Sequence, residues 1–187
     1  MVAPLSISAV IKQAAKYLLP VLGTLFVLMS EHGIAQSSSW LQPGKAEWRT
    51  EALSAIDEQF MASQRQTVEG LANKLGRSLS GATQRDLDTL QLILDRELVA
   101  REDVLTQQAL GVVLGDLLGA ELNMEWVVYR DRAGRSRALR YLTTDVFVFP
   151  VTLISRRWSV GSDKTVAAIY QDTVDATTSR LPGAAWR

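Results

Sequence analysis

The stretch that decides the fold runs from Leu110 to Thr143, LGVVLGDLLGAELNMEWVVYRDRAGRSRALRYLT, because its periodicity changes midway. Up to Leu122 the apolar residues fall at helical spacing, with Leu110, Val113, Leu114, Leu117 and Leu118 on a common stripe. From Glu125 the pattern alternates by two, EWVVY, which predicts a strand. Asp131-Arg132-Ala133-Gly134 then reads as a hairpin turn, and Ala138 to Thr143 as the returning strand. The helix, spanning Thr106 to Leu122, carries Gly111, Gly115 and Gly119 every fourth residue. Each mid-helix glycine costs about 0.5–1 kcal/mol against alanine. Three in a row predict that another element presses on that bare backbone. The apolar run there is only Ala109 to Ala120 and includes Asp116, which suits a buried core helix rather than a membrane span.

Working outward, Lys45 to Leu75 repeats apolar residues at helical spacing from Trp48 through Phe60 and on to Leu75. The lapse at Ser63-Gln64 leaves open whether this is one helix or two, and Gly76 is placed to stop it. Thr83 with Asp86 has the form of a capping box ahead of a second helix carrying Leu87, Leu90, Ile93 and Leu94. Beyond the hairpin, Val146 to Pro150 is extended, and Val151 to Val160 (VTLISRRWSV) predicts a third strand ended by Gly161. Ser162 or Asp163 can cap a last helix through Val166, Ile169, Tyr170 and Val174, stopped by Pro182-Gly183. The expected architecture is α+β: N-terminal helices, then a small antiparallel three-stranded meander, then a C-terminal helix, all in one domain over 45–181 with a tail at 182–187.

The N-terminus reads as an export address. Lys12 and Lys16 precede the uncharged apolar run Tyr17–Met29, and Gly33 and Ala35 stand at −3 and −1 of a cleavage point before Gln36. Thirteen helical residues reach about 20 Å, short of a bilayer core of about 30 Å, so no stable transmembrane span is expected after cleavage. Residues 36–44 are a Ser-rich linker with Pro43 and Gly44. The expected localisation is periplasmic or secreted, with retention as an anchor the alternative.

The chain of 187 residues has no cysteine, so disulfides and thiolate metal sites are excluded. Its one histidine, His32, leaves with the signal, which removes a Ser-His-Asp triad and a His-ligated zinc from the mature chain. No phosphate-binding loop, dinucleotide fingerprint, calcium loop or nucleophile elbow occurs, and neither metal nor cofactor is expected.

The run from Gln107 to Arg157 resembles the bacterial family called domain of unknown function 3806. The residues that carry the resemblance are Leu110-Gly111, Gly115-Asp116, Leu122, Glu125-Trp126, Arg140-Tyr141, Pro150 and Ile154-Ser155-Arg156-Arg157, over about residues 80–170. The resemblance implies an α+β bacterial domain and brings no chemistry with it.

Six residues are candidates for binding. Asp116 sits on the helix expected to be buried, where a carboxylate needs a partner. It is either a general acid or ligand anchor, or one half of a structural pair with Arg140 or Arg156. Glu125 and Trp126 point to opposite faces of their strand, so Trp126 is expected packed and Glu125 exposed, with an aromatic-and-carboxylate binding lip as the alternative. Arg140, Arg156 and Arg157 belong to a basic stretch: Trp126 to Trp158 holds seven arginines against two aspartates, whereas Gly44 to Glu125 holds eight basic and fourteen acidic residues. Either the sheet arginines pair with helix carboxylates, or they form a face for an acidic protein surface or an anionic envelope component. The basic residues lack interleaved aromatics, so nucleic acid is not expected. The leading functional expectation is an exported envelope protein that binds a partner without catalysis. The alternative is a hydrolase-like enzyme using Asp116 or Glu125.

Overall fold

The computed structural model describes residues 48–183. The signal, its cleavage point, the linker and residues 184–187 lie outside the described residues. The elements run in chain order as β1 (Arg49–Glu51), α1 (Ala55–Lys74), α2 (Thr83–Asp95), α3 (Val104–Leu122), β2 (Glu125–Asp131), β3 (Gly134–Arg140), β4 (Phe147–Val148), a 3-10 turn (Pro150–Thr152), α4 (Leu153–Ser159) and α5 (Val166–Thr178). The architecture is α+β, with three helices ahead of an antiparallel sheet in the order β1-β2-β3-β4 and further helices after it.

The expected change of period at Asn123 is observed. Asn123 takes the left-handed conformation (φ 52°) that closes α3, and β2 begins two residues later. α3 is apolar nearly all round and is enclosed by α1, α2, α4, α5 and the 3-10 turn. Leu110, Leu114 and Leu118 are fully buried on it. The three glycines are the points at which later segments of the chain rest on this helix. A Cβ on Gly111 would stand 2.5 Å from the Val151 carbonyl oxygen and 2.7 Å from that of Pro150. One on Gly115 would strike the Trp126 ring, and one on Gly119 would come within 3.1 Å of the Met124 carbonyl.

α1 is a single helix. Ser54 and Asp57 form its capping box, and Gly76, at φ 66°, closes it with the paired bonds Arg77 N–H to Ala72 O and Gly76 N–H to Asn73 O.

Four expectations are corrected. First, the stripe beginning at Trp48 is not helical at its start: Arg49–Glu51 is an edge strand paired with β2, which makes the sheet four-stranded. Second, Val151–Val160 is a 3-10 turn and α4 rather than a strand. Pro150 presets φ for a helical start, and Leu153, Ile154, Arg157 and Trp158 carry a 3.6 period as well as a period of two. The third meander strand is only Phe147–Val148. Third, Asp86 does not cap α2 reciprocally. The helix starts after Ala82, and buried Asp86 accepts from the backbone N–H groups of Ser80 and Gly81. Fourth, α5 is capped by Thr165 rather than Ser162 or Asp163.

Candidate functional site

The β2–β3 hairpin and the β1 edge bring the arginines together. Register places Arg49 opposite Arg130, and Arg130 opposite Arg135, so three guanidinium side chains stand in one row across three adjacent strands. The hairpin tip is fixed by Asp131, whose Oδ1 accepts the backbone N–H groups of Ala133 (2.8 Å) and Gly134 (3.1 Å). Like charges directly opposite on a sheet are destabilising, and here two carboxylates offset them. Glu51 accepts from Arg49 Nε (3.3 Å) and Arg130 Nε (3.1 Å). Asp57, at the start of α1, accepts from Arg135 and, at 2.8 Å, from Arg137 Nη2. Its side chain is 2% exposed and also bonds to Ser54. The Arg135 hydrogen bond, and after it those from Ser54, hold the Asp57 carboxyl far below the usual carboxylate range, and the same Arg135 bond raises Arg135. Glu51 is lowered chiefly by its bond from Arg130.

Four guanidinium groups therefore share two carboxylates. The row opens onto a shallow concavity of about 690 Å3 lined by Trp48, Arg49, Arg130, Arg132 and Arg135, with Asp131 the one carboxylate among the described residues that line it. Trp48 continues into an aromatic cluster on the other face of the sheet, stacked on Tyr129 at 6.1 Å and edge-on to Phe147 at 4.9 Å.

The six residues singled out in the sequence are not brought to one site. Asp116 and Trp126 do meet: Trp126 Nε1 donates to Asp116 Oδ1 at 3.0 Å. The ion partner of Asp116 is neither Arg140 nor Arg156 but Arg65, which donates from Nε (2.7 Å) and Nη2 (2.8 Å) in a bidentate pair joining α1 to α3. Asp116 is half-buried, with both oxygens taken, and serves as a clasp between two helices and the sheet. Glu125 is exposed on the opposite face from Trp126, in register with Arg140. Arg140 is a rivet: it donates to the Thr144 and Thr143 carbonyls and to Thr50 Oγ1, tying β1 to the β3–β4 turn, and lies over the Trp48 and Phe147 rings. Arg157 donates to the Leu153 carbonyl within α4, while Arg156 lines a separate cleft against β3.

Asp57, Arg65, Arg49 and Glu51 are not among the candidates that the sequence singles out. The capping-box spacing of Ser54 and Asp57 is a usable signal for a helix start at Ala55. Nothing local announces that Asp57 receives two arginines from a strand about eighty residues away. Among the described residues no group of three or more His, Asp or Glu side chains is placed to hold a metal.

Residues 86–170 match the family model described as a domain of unknown function, DUF3806. Over that segment the chain is similar to DUF3806. Within the DUF3806 segment, the residues that carried the resemblance include one packing node: Gly111 and Gly115 of α3 receive Pro150 and Trp126, and Asp116 anchors the Trp126 indole. The carboxylates that balance the arginine row, Glu51 and Asp57, come from ahead of the matched segment, as does Arg65. No curated protein matches the chain. Among solved structures it is similar to a crystal structure from Bacteroides thetaiotaomicron VPI-5482, with 18% identity and a TM-score of 0.62. The likeness covers 69% of this chain and 48% of that one, so the chain spans about half the length of the solved protein, and it shows a shared fold.

Proposed function

We propose that the protein is an exported envelope protein whose DUF3806-like domain binds an acidic protein surface through the arginine row at the hairpin end of its sheet. The observation that carries this is the cross-strand alignment Arg49–Arg130–Arg135, which sets three guanidinium side chains side by side where an anionic surface can meet them together. Internal pairing accounts for part of the basic stretch, since Asp57 and Glu51 each take two arginines, and among the described residues these two carboxylates face four guanidinium groups. The breadth of the concavity suits a macromolecular surface better than an enclosed small molecule. The alternative reading, hydrolysis by Asp116 or Glu125, has less support, because Asp116 is occupied by Arg65 and Trp126 and Glu125 faces an arginine rather than a second carboxylate.

Two measurements test the proposal. Protein recovered from the envelope fraction is expected to begin at Gln36; recovery of the intact chain from cytosol removes the export half. Acidic proteins captured from envelope extract are expected to lose about tenfold or more in affinity to the Arg49→Glu/Arg132→Glu variant, and to bind the parent less tightly as salt rises. Unchanged affinity, or binding that passes to anionic lipid vesicles instead, removes the partner half.

A further inference from the structure

We propose a second site, which shares Arg135 with the arginine row but does not rest on the hairpin-end reading: the cleft between β3 and α4 binds a small organic anion with a phosphate-class head and a flat apolar body. β4 pairs only with Leu139 and Arg140, so among the described residues no strand covers β3 from Gly134 to Ala138 on that side. The chain leaving β4 runs past this edge through Phe149 and the 3-10 turn, and a cleft of about 310 Å3 remains between them. Its floor and walls include Arg135, Arg137, Arg156, Gln108, Thr152 and Phe149, and no Asp or Glu is among the described residues that line it. A volume near 300 Å3 lies at the lower end of small-ligand sites.

The charge balance favours an anion. Arg135 and Arg137 stand two apart on β3, so their side chains leave the same face of the strand. Both reach Asp57, whose two oxygens are already spent on them and on Ser54 beneath the surface. Asp57 is the carboxylate bonded to both guanidinium groups, Glu51 acts on Arg135 at longer range, and the two arginine side chains remain 35% and 21% exposed. Asp57 also locks both guanidinium planes in place, which lowers the entropic cost of holding a ligand. Arg156, in the last turn of α4, also lines the cleft. Guanidinium groups that line one cleft from two elements suit the oxygens of a phosphate or carboxylate head. Gln108 and Thr152 add neutral hydrogen-bonding groups. Phe149 is 38% exposed although it packs edge-on to Tyr129 at 5.2 Å, and it gives the cleft an aromatic wall against which a flat apolar group can lie.

The test is calorimetric titration of the full chain with inorganic phosphate and with phenyl phosphate, in a buffer without competing anions. Phenyl phosphate is expected to saturate one site and to bind more tightly than inorganic phosphate. Arg156→Gln should weaken both by about tenfold or more. Phe149→Ser should abolish the advantage of phenyl phosphate while leaving inorganic phosphate bound. Arg132→Glu, at the hairpin tip, should leave both titrations unchanged even where it abolishes capture of acidic proteins, which separates failure of this site from failure of the other. Should Arg156→Gln fail to fold, Thr152→Val and Phe149→Ser carry the test. Absence of saturable binding in the millimolar range, or equal affinities in parent, Arg156→Gln and Phe149→Ser, overturns the proposal.

Discussion

At the scale of single residues the most consequential group is Asp57. It is buried, it closes the capping box of α1, and it receives Arg135 and Arg137 from β3, so one carboxylate joins the first helix to the middle of the sheet. Removing it leaves two guanidinium groups facing each other without their counter-ion. Breaking such a pair costs about 3 kcal/mol where the partners stay buried, and somewhat less here because both arginines are partly exposed. Asp57→Asn keeps the shape and some of the bonding, and is expected to lower the urea midpoint at neutral pH. The sign of the pH effect is set by the direction of the shift. The folded carboxyl is depressed below its ordinary 3.8, so its contribution is complete above that value and is lost progressively as pH falls through the folded one. The parent should therefore lose stability between about pH 4 and pH 2 more steeply than Asp57→Asn, which has no proton to take up. Parallel acid limbs in urea titrations of the two proteins would refute this role.

At the scale of elements, α3 shows why glycine in a helix is a statement about its neighbours. Gly111→Ala would drive a Cβ into the Val151 and Pro150 carbonyl oxygens, which are backbone and cannot swing aside. Overpacking of this kind costs about 1–3 kcal/mol, against a gain of about 1 kcal/mol in helix propensity. A net fall in thermal midpoint is expected for Gly111→Ala and Gly115→Ala, and a smaller one for Gly119→Ala, whose nearest contact is 3.1 Å. Gly70, inside α1 with nothing within 4 Å of a Cβ, is the control: Gly70→Ala should stabilise by about 0.5–1 kcal/mol. Thermal melts of the four variants give the comparison, and a stabilised Gly111→Ala would mean that the 3-10 turn does not rest on this glycine. The glycine spacing makes the contact legible in the sequence, though not what fills it. Val151–Val160 misleads for a related reason. Its β-branched, alternating residues satisfy a strand period, and only Pro150 and the seating of the next turn on Gly111 decide for helix. The arginine row is less legible still. The number of arginines is plain in the sequence, but their alignment depends on the register of β1 against β2, and β1 is three residues long with no pattern of its own.

At the scale of the whole molecule, the described chain is organised around α3, with every other helix packed on it and the sheet closing one side through Trp126, Leu139 and Met124. β1 is the opposite case: an edge strand held by β2, by Arg140 bonding Thr50 and by Arg130 bonding Glu51. Local stability should reflect that difference, because backbone amides buried in the packed centre exchange only when the domain unfolds, whereas a short edge can open alone. Native-state hydrogen exchange is expected to give α3 amides from Leu110 to Leu118 the global unfolding free energy, and those of Arg49–Glu51 a clearly smaller one. Leu114→Ala supplies the test of independence. Leu114 is fully buried, and its truncation costs about 2–5 kcal/mol. That loss should appear in full at the α3 amides and leave the opening free energy of β1 unchanged until the two values meet. If β1 amides instead fall in step with α3, the strand that carries Arg49 opens only with the core. The arginine row would then be a fixed part of the domain rather than an edge that an acidic partner can engage and order.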